Sequence, residues 1–419
     1  MEKFIIEGGR KLYGKVEVQS AKNSVLPLIA GSIMSGGKTY IENCPKLTDI
    51  IVMCEIIKRL GGKTRFDGET LIIDTENLNS WQLPSDLTCQ IRASLFMVGP
   101  LICRFGLASM SMPGGCKIGE RPIDIHIESL RKMGAIIKED GEIIFDGRRI
   151  EGSTIDLRFP SVGATENLMM SAVRAKGITI IKNCAKEPEI VDLQNYLNSL
   201  GAKVKGAGSD VISVEGVKGK FLKEVKIKPA PDRIETGTFM FAVASVGGEI
   251  EIESKYLQNL KVLLKLFENN ACKLYADNDK ICSMRVDKPF NGFGKIKVGP
   301  YPQFPTDLQP QLVACASSSI GLTAVEENVF PERFSYCSQL SKLGAKVDVY
   351  GNLCLVEGGK LHGAEVVSGD LRGGASLVVG ALSAEGISEV KNVSHIDRGY
   401  YKLEEKLSKL GAKITRVTY

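Results

Sequence analysis

The stretch Ser111-Met112-Pro113-Gly114-Gly115-Cys116-Lys117-Ile118-Gly119-Glu120-Arg121-Pro122 gathers the residue types best suited to chemistry in this 419-residue chain. A thiol follows two glycines, a lysine adjoins it, and an arginine lies a short way on. Pro122 then opens a segment with helical spacing, Ile123, Ile127 and Leu130, so the thiol is expected just ahead of a helix start. Free N–H groups and the dipole make such a start an anion site, and Lys117 and Arg121 add two cations. These surroundings lower a cysteine's pKa and suit it to act as nucleophile or proton shuttle beside a bound anion. The chain has eleven cysteines, and most cysteines are small buried hydrophobes. The glycines, the cations and the helix start set Cys116 apart from the rest.

Other charged residues fall at expected helix starts. Lys22, in Ser20-Ala21-Lys22-Asn23-Ser24, leads into an apolar helix from Val25 to Met34; it is a surface lysine or an anion ligand beside free N–H groups. Arg92 lies within an otherwise apolar helix expected over Gln90–Met97, where a charge needs an ion-pair partner or a cleft. Ser161-Val162-Gly163-Ala164-Thr165 precedes another apolar helix; it is a plain capped turn or a set of accessible N–H groups able to hold a diphosphate. Asp307, in a proline-rich loop, either caps the next helix or acts as a general base. Asp370-Leu371-Arg372 and His395-Ile396-Asp397-Arg398 each put an arginine where a helix begins.

The elements that must position these residues form a repeat. A helix-to-strand phrase recurs as Leu60-Gly61-Gly62, Met133-Gly134-Ala135, Leu200-Gly201-Ala202, Leu343-Gly344-Ala345 and Leu410-Gly411-Ala412, with a degraded sixth copy at Phe267–Cys272. The period is about 70 residues, and each glycine is expected to end an amphipathic helix ahead of an alternating strand. A second phrase, a strand, reads Gly37–Asn43, Gly177–Asn183, Gly248–Glu253, Gly321–Glu327 and Gly386–Asn392. The chain is thus six α/β units. The run Lys228-Pro229-Ala230-Pro231-Asp232-Arg233 marks the boundary between two groups of three. The expected domains are residues 22–229, carrying the Cys116 loop, and residues 1–21 with 230–419.

Composition narrows the function. Hydrophobic residues at 43% and charged residues at 25% describe an ordinary globular protein. No stretch approaches a membrane helix, and the first residues lack the pattern of a signal peptide, so a cytoplasmic protein is expected. Irregular cysteines and three histidines support neither a disulfide framework nor a metal site. A net charge of +5, without any long basic run, argues for small anionic ligands and against nucleic acid.

Taken together, Lys22-Asn23, Arg92-Ala93-Ser94, Pro113-Gly114-Gly115-Cys116, Arg121-Pro122, Ser161–Thr165, Pro231–Thr238, Phe304-Pro305-Thr306-Asp307, Asp370-Leu371-Arg372 and His395–Gly399 resemble the enolpyruvyl transferases. Among these the resemblance is to the UDP-N-acetylglucosamine 1-carboxyvinyltransferase family, which opens bacterial peptidoglycan synthesis, and it runs from Lys3 nearly to the last residue. It implies a two-domain inside-out α/β barrel of six βαβαββ-type units, three per domain, with the active site in the cleft between them and the Cys116 loop as its lid. It implies no cofactor, no metal and no obligate protein partner, only the substrates phosphoenolpyruvate and UDP-N-acetylglucosamine.

The same resemblance assigns roles. Cys116 protonates the enol carbon, Asp307 takes the proton of the sugar 3-hydroxyl, and Lys22 completes the catalytic set. Phosphoenolpyruvate falls to Lys22, Asn23, Cys116, Arg121, Arg372 and Arg398. The nucleotide sugar falls to Asn23, Arg92, Arg121, Pro122, Ile123, Asp124, Ile125, Ser161, Val162, Gly163, Asp307 and Val329. Phe96, Tyr301, Gly373 and the run Phe330–Phe334 depart from the family's commonest pattern, which bears on the shape of the uridine pocket and the stiffness of the Arg372 loop. Three other functions compete: the sister transferase acting on shikimate 3-phosphate, which needs no loop cysteine; a cysteine hydrolase or acyltransferase pairing Cys116 with His126 or His395; and a non-catalytic anion binder. His126 lies about 15 Å along a straight helix from Cys116, a poor partner.

Overall fold

The computed structural model describes residues 2–114, 123–218, 221–253, 257–268, 270, 272–277, 281–287 and 290–419. They form two compact units, one of the described residues of Gln19–Ala230, the other of those up to Val18 together with those of Pro231–Tyr419. The division falls at 18/19 and 230/231, not at the expected 21/22 and 229/230. The reason is local pairing: Ala21 N–H donates to the Ala230 carbonyl at 2.8 Å and Ser20 N–H to that of Asn43 at 3.0 Å, tying this stretch into the first unit.

Six sheets are seen among the described residues, five with four strands and one with three. Each repeats one pattern: a parallel pair, then two antiparallel strands. In the first unit Glu224–Ile227 runs parallel to Lys38–Ile41, which pairs antiparallel with Thr70–Asp74, which pairs antiparallel with Lys63–Asp67. Thr154–Asp156, Ile178–Lys182, Val211–Glu215 and Lys203–Lys205 repeat it. The three-stranded sheet, Leu107–Met110, Glu142–Asp146 and Ile136–Asp140, reduces its parallel strand to a single bridge, Gln82 to Ser109.

In the second unit the chain start completes two sheets. Leu12–Glu17 supplies the parallel strand beside Gly248–Glu253, and Glu2–Glu7 lies between Ile387–Lys391 and Lys413–Thr418. Residues far apart in sequence thereby close the unit.

Local chemistry explains the repeated phrases. Gly61, Gly134, Gly201, Gly344 and Gly411 end their helices with φ between +90° and +102°, where a side chain would be strained. The asparagines that close three of the strand phrases, Asn43, Asn183 and Asn392, have φ of 51°, 53° and 58°, the left-handed region that asparagine tolerates best after glycine.

Two kinds of helix follow from sequence pattern. Helices such as Thr48–Arg59 and Pro188–Leu200 bury one stripe and expose the other. Helices Lys22–Ser35, Val98–Phe105 and Val162–Ala172 are buried nearly all round and pack on one another; Arg233–Val246, Gln309–Ser317 and Leu371–Ser383 do the same in the second unit. Helices therefore make the core and sheets surround them, an inside-out α/β arrangement. Close helix approach requires small residues. A Cβ on Gly99 would stand 2.7 Å from the Asn167 carbonyl oxygen, so Gly99→Ala would force these helices apart. No helix of the described residues is long and apolar enough to cross a membrane.

Candidate active site

The inner helices place the polar residues singled out by sequence at their starts. Lys22 opens helix Lys22–Ser35, not a position before it, and is only 8% exposed. Its Nζ lies 2.7 Å from Oδ2 of Asp49, itself buried, and a buried ammonium needs such a counter-charge. Asn23 follows on the same turn, half-buried. Ser161 caps helix Val162–Ala172, its hydroxyl accepting the Ala164 N–H at 3.3 Å, with Val162 and Gly163 half-buried beside it.

Arg92 is the first residue of the 3-10 turn Arg92–Met97, not the middle of an apolar helix. Ile123 precedes helix Asp124–Lys132; Asp124 pairs with Arg158 and accepts the N–H of Ile125 at 2.8 Å. His126, on that helix, has its pKa pushed down to about 3, first by burial and then by the Arg92 charge, with Asp124 opposing. A Cβ built on Gly163 would meet Phe96 at 3.2 Å and His126 at 3.4 Å. Arg92, Phe96, His126 and Gly163 are thus one neighbourhood. Cys116, Lys117, Arg121 and Pro122 lie outside the described residues.

The second unit holds the other candidates. Asp307 lies in the short turn Thr306–Leu308 and caps no helix. Its Oδ1 takes Arg333 Nη2 at 2.9 Å and its Oδ2 takes Arg372 Nη2 at 3.0 Å, both arginines only 3% exposed at the side chain. Burial would raise this carboxyl's pKa, but the charges of Arg372 and Arg333 overrule it and hold it well below the usual carboxylate range. Arg372 is aimed by its own helix: Asp370 caps Leu371–Ser383, accepting the N–H groups of Arg372 and Gly373 at 3.0 Å each. The guanidinium lies 5.4 Å from the ring centre of Tyr400, whose hydroxyl is held by Thr238 and by Gln311, both at 2.8 Å. Nε and Nη1 of Arg372 make no hydrogen bond among the described residues. Two buried donors without an acceptor mark a place where an anion could bind.

Val329 joins the same network. Glu327 Oε1 accepts its N–H at 2.8 Å, Glu327 Oε2 accepts the Thr306 hydroxyl at 2.9 Å, and that hydroxyl also takes Arg333 Nη1 at 2.8 Å. Arg398 ends the 3-10 turn Val393–Arg398, half-buried, whereas its neighbour Asp397 is engaged by Arg416 at 2.6 and 3.0 Å. The structure therefore brings Asp307, Arg372 and Val329 together, with Arg398 on a separate turn of the same unit.

Sequence reading gave Arg333 no role, noting it only within the run Phe330–Phe334; its signal was an arginine flanked by two aromatic residues. It also missed Glu166, 1% exposed, whose two carboxyl oxygens have no hydrogen-bond partner among the described residues. Burial, reinforced by Glu189 and Glu187, raises its pKa well above the usual range. Among the described residues no group of three His, Cys, Asp or Glu side chains is placed to hold a metal ion.

Fold and residues together define the class. The chain belongs to the enolpyruvyl transferases: the family described as EPSP synthase (3-phosphoshikimate 1-carboxyvinyltransferase) matches residues 6–407. More particularly, it is 44% identical over 419 residues, all of both chains, to UDP-N-acetylglucosamine 1-carboxyvinyltransferase 2 of Caldanaerobacter subterraneus subsp. tengcongensis. It is 45% identical over 424 residues, again all of both chains, to the protein of that name from Carboxydothermus hydrogenoformans. In structure it is similar to the enolpyruvyl transferase NikO from Streptomyces tendae, with a TM-score of 0.90 at 24% identity over 100% of this chain and 99% of that one. The EPSP synthase of Acinetobacter baumannii follows the same fold over all of both chains, with a TM-score of 0.74 at 19% identity.

Proposed function

We propose that this chain transfers the enolpyruvyl group of phosphoenolpyruvate to the 3-hydroxyl of UDP-N-acetylglucosamine, releasing phosphate, in the first committed step of bacterial peptidoglycan synthesis. The full-length relatives named for that reaction support it. The observation in the structure that carries it is Asp307 between two buried arginines, one of which keeps two donors without a partner among the described residues.

The reaction needs a proton delivered to C3 of the enol, a proton removed from the sugar hydroxyl, and cations for two polyanions. In this reading the Cys116 thiol gives its proton to C3 while the hydroxyl oxygen bonds to C2 and its proton goes to Asp307. The tetrahedral intermediate then gives a proton from C3 back to the Cys116 thiolate while the bond from C2 to the phosphate oxygen breaks, phosphate leaves with the electron pair, and the proton on Asp307 passes to solvent. Each proton transfer contributes about a hundred- to ten-thousand-fold. Lys22, Asn23, Arg121, Arg372 and Arg398 hold phosphoenolpyruvate. Asn23, Arg92, Arg121 to Ile125, Ser161 to Gly163, Asp307 and Val329 hold the nucleotide sugar.

A carboxylate clamped by two guanidiniums is a weak base, so Asp307 cannot act as it stands. Anionic substrate drawing on the spare donors of Arg372 offsets that clamp and raises the carboxyl's proton affinity. The base is thus activated by the substrate itself. A cytoplasmic site of action suits two water-soluble polyanions.

Phosphate release from phosphoenolpyruvate, with either UDP-N-acetylglucosamine or shikimate 3-phosphate as acceptor, tests the proposal. Release with the nucleotide sugar alone is expected. Release only with shikimate 3-phosphate, the substrate of the enzyme for which the matching family is described, would replace the acceptor and keep the class. Silence with both would leave a non-catalytic anion binder.

A further inference from the structure

His126 is 7% exposed and its ring faces Asn167, with Nδ1 3.0 Å from the amide nitrogen Nδ2. The backbone fixes which end of that amide meets the ring. Gly99 N–H donates to Asn167 Oδ1 at 2.9 Å, and Nδ2 donates to the Leu95 carbonyl at 2.9 Å. The oxygen is therefore committed to a donor elsewhere, and an NH2 group, which can only donate, faces the imidazole. Nδ1 must present a lone pair, and the ring proton must sit on Nε2. A doubly protonated ring would set one N–H against another, which agrees with the depressed pKa.

On its other edge Nε2 makes no hydrogen bond among the described residues. It lies 3.5 Å from where a Cβ would stand on Gly163. Because that residue is glycine, the space in front of the N–H stays free of side chain. The ring is largely buried, fixed in direction and uncharged near neutrality, and it adjoins the charge of Arg92.

We infer that His126 is a binding residue for the nucleotide sugar: its Nε2–H donates to an acceptor oxygen of the ligand held by Arg92 and Ser161–Gly163, and Asn167 is the positioning residue that fixes the tautomer. The inference rests on the proposed function, which assigns those neighbours to UDP-N-acetylglucosamine. It adds a specificity element that discriminates by direction and not by charge. A ligand that covers this donor without offering it an acceptor leaves the N–H unpaired.

The test uses the full chain labelled with 15N in its histidine rings, only three of which are present. One histidine, assigned by its loss in His126→Phe, should show a pyridine-type Nδ1 and a pyrrole-type Nε2 and should not titrate near neutrality. Saturating UDP-N-acetylglucosamine should shift that Nε2 resonance, and phosphoenolpyruvate alone should not. His126→Phe should weaken nucleotide-sugar binding about tenfold, leave phosphoenolpyruvate binding alone, and be partly rescued by His126→Gln, which restores an N–H donor. A pyrrole-type Nδ1, an unmoved Nε2 at saturation, or wild-type affinity in His126→Phe overturns the inference. Should that variant fail to fold, the wild-type spectra decide. Loss of all binding of UDP-N-acetylglucosamine to the wild-type protein would instead remove the functional reading, and the inference with it.

Discussion

Asp307 divides its carboxylate between two arginines, Oδ2 to Arg372 at 3.0 Å and Oδ1 to Arg333 at 2.9 Å. The two bases of helix and loop are thereby locked to one acid, which serves as counter-ion before it can serve as base. Asp307→Ala should abolish most turnover while weakening UDP-N-acetylglucosamine binding far less, because the other residues assigned to the nucleotide sugar remain. It should also cost about 3–5 kcal/mol of stability, because two buried guanidiniums lose their partner. Kinetics with isothermal titration checks the first, denaturant unfolding the second. Normal turnover would remove the aspartate from the mechanism, whatever its effect on stability.

Arg372 spends one nitrogen on Asp307, and its Nε and Nη1 make no hydrogen bond among the described residues. If those donors take an anion of phosphoenolpyruvate, Arg372→Lys keeps the charge and loses the fork, since an ammonium cannot reach acid and ligand in the same plane. The expected result is a rise of about ten- to a hundredfold in the KM for phosphoenolpyruvate, with a smaller change for the nucleotide sugar. Equal losses for both substrates would point to a collapsed loop in place of a lost contact.

How far this was legible follows from the range of the interactions. The six repeats were readable because their signals are local: a glycine one or two residues past a helix, or an asparagine at a left-handed corner such as Asn183. The starts of inner helices were readable for the same reason, as with Lys22 and Arg372. Arg333 was not, because its meaning depends on Asp307, 26 residues away in sequence. Nor was it legible that Asp307 caps no helix and is held instead by two arginines distant in sequence. His126 was read only as a distant partner for Cys116; its tautomer depends on Gly99, Leu95 and Asn167, which no spacing brings together. That residues 1–21 belong with the second half was expected, but not the particular partners of Glu2–Glu7 and Leu12–Glu17, since Lys413–Thr418 and Gly248–Glu253 lie too far along the chain for spacing to name them.

Cys116 carries the chemical expectation with the most direct chemical test. Fosfomycin, an epoxide bearing a phosphonate, offers a nucleophilic thiolate an electrophilic carbon beside an anion. It should alkylate Cys116, visible as a mass increase on the peptide that contains it, and Cys116→Asp should resist it while retaining some turnover. A carboxylic acid can still deliver a proton but forms no thioether. An unmodified wild-type protein, or an inert aspartate variant, would count against the assigned role.

The lock on His126 also leaves a mark on stability. Its pKa stands near 3 in the folded protein, held there by burial and Arg92, against about 6.5 in an unfolded chain. Between those values the unfolded state binds a proton that the folded state does not, so stability rises with pH there. The full contribution is present above pH of about 6.5 and is lost as pH falls, by up to about 1.4 kcal/mol per pH unit. Asp192, raised to about 6 chiefly by burial, acts with the opposite sign, since its folded carboxyl keeps a proton that the unfolded one releases. The raw pH profile therefore mixes the two. The difference between wild type and His126→Gln isolates the histidine: the variant should lose less stability than wild type between neutrality and mild acid, measured by urea unfolding at a series of pH values. Parallel profiles would mean that the imidazole accepts a proton in the folded state, and the tautomer lock would fall with it.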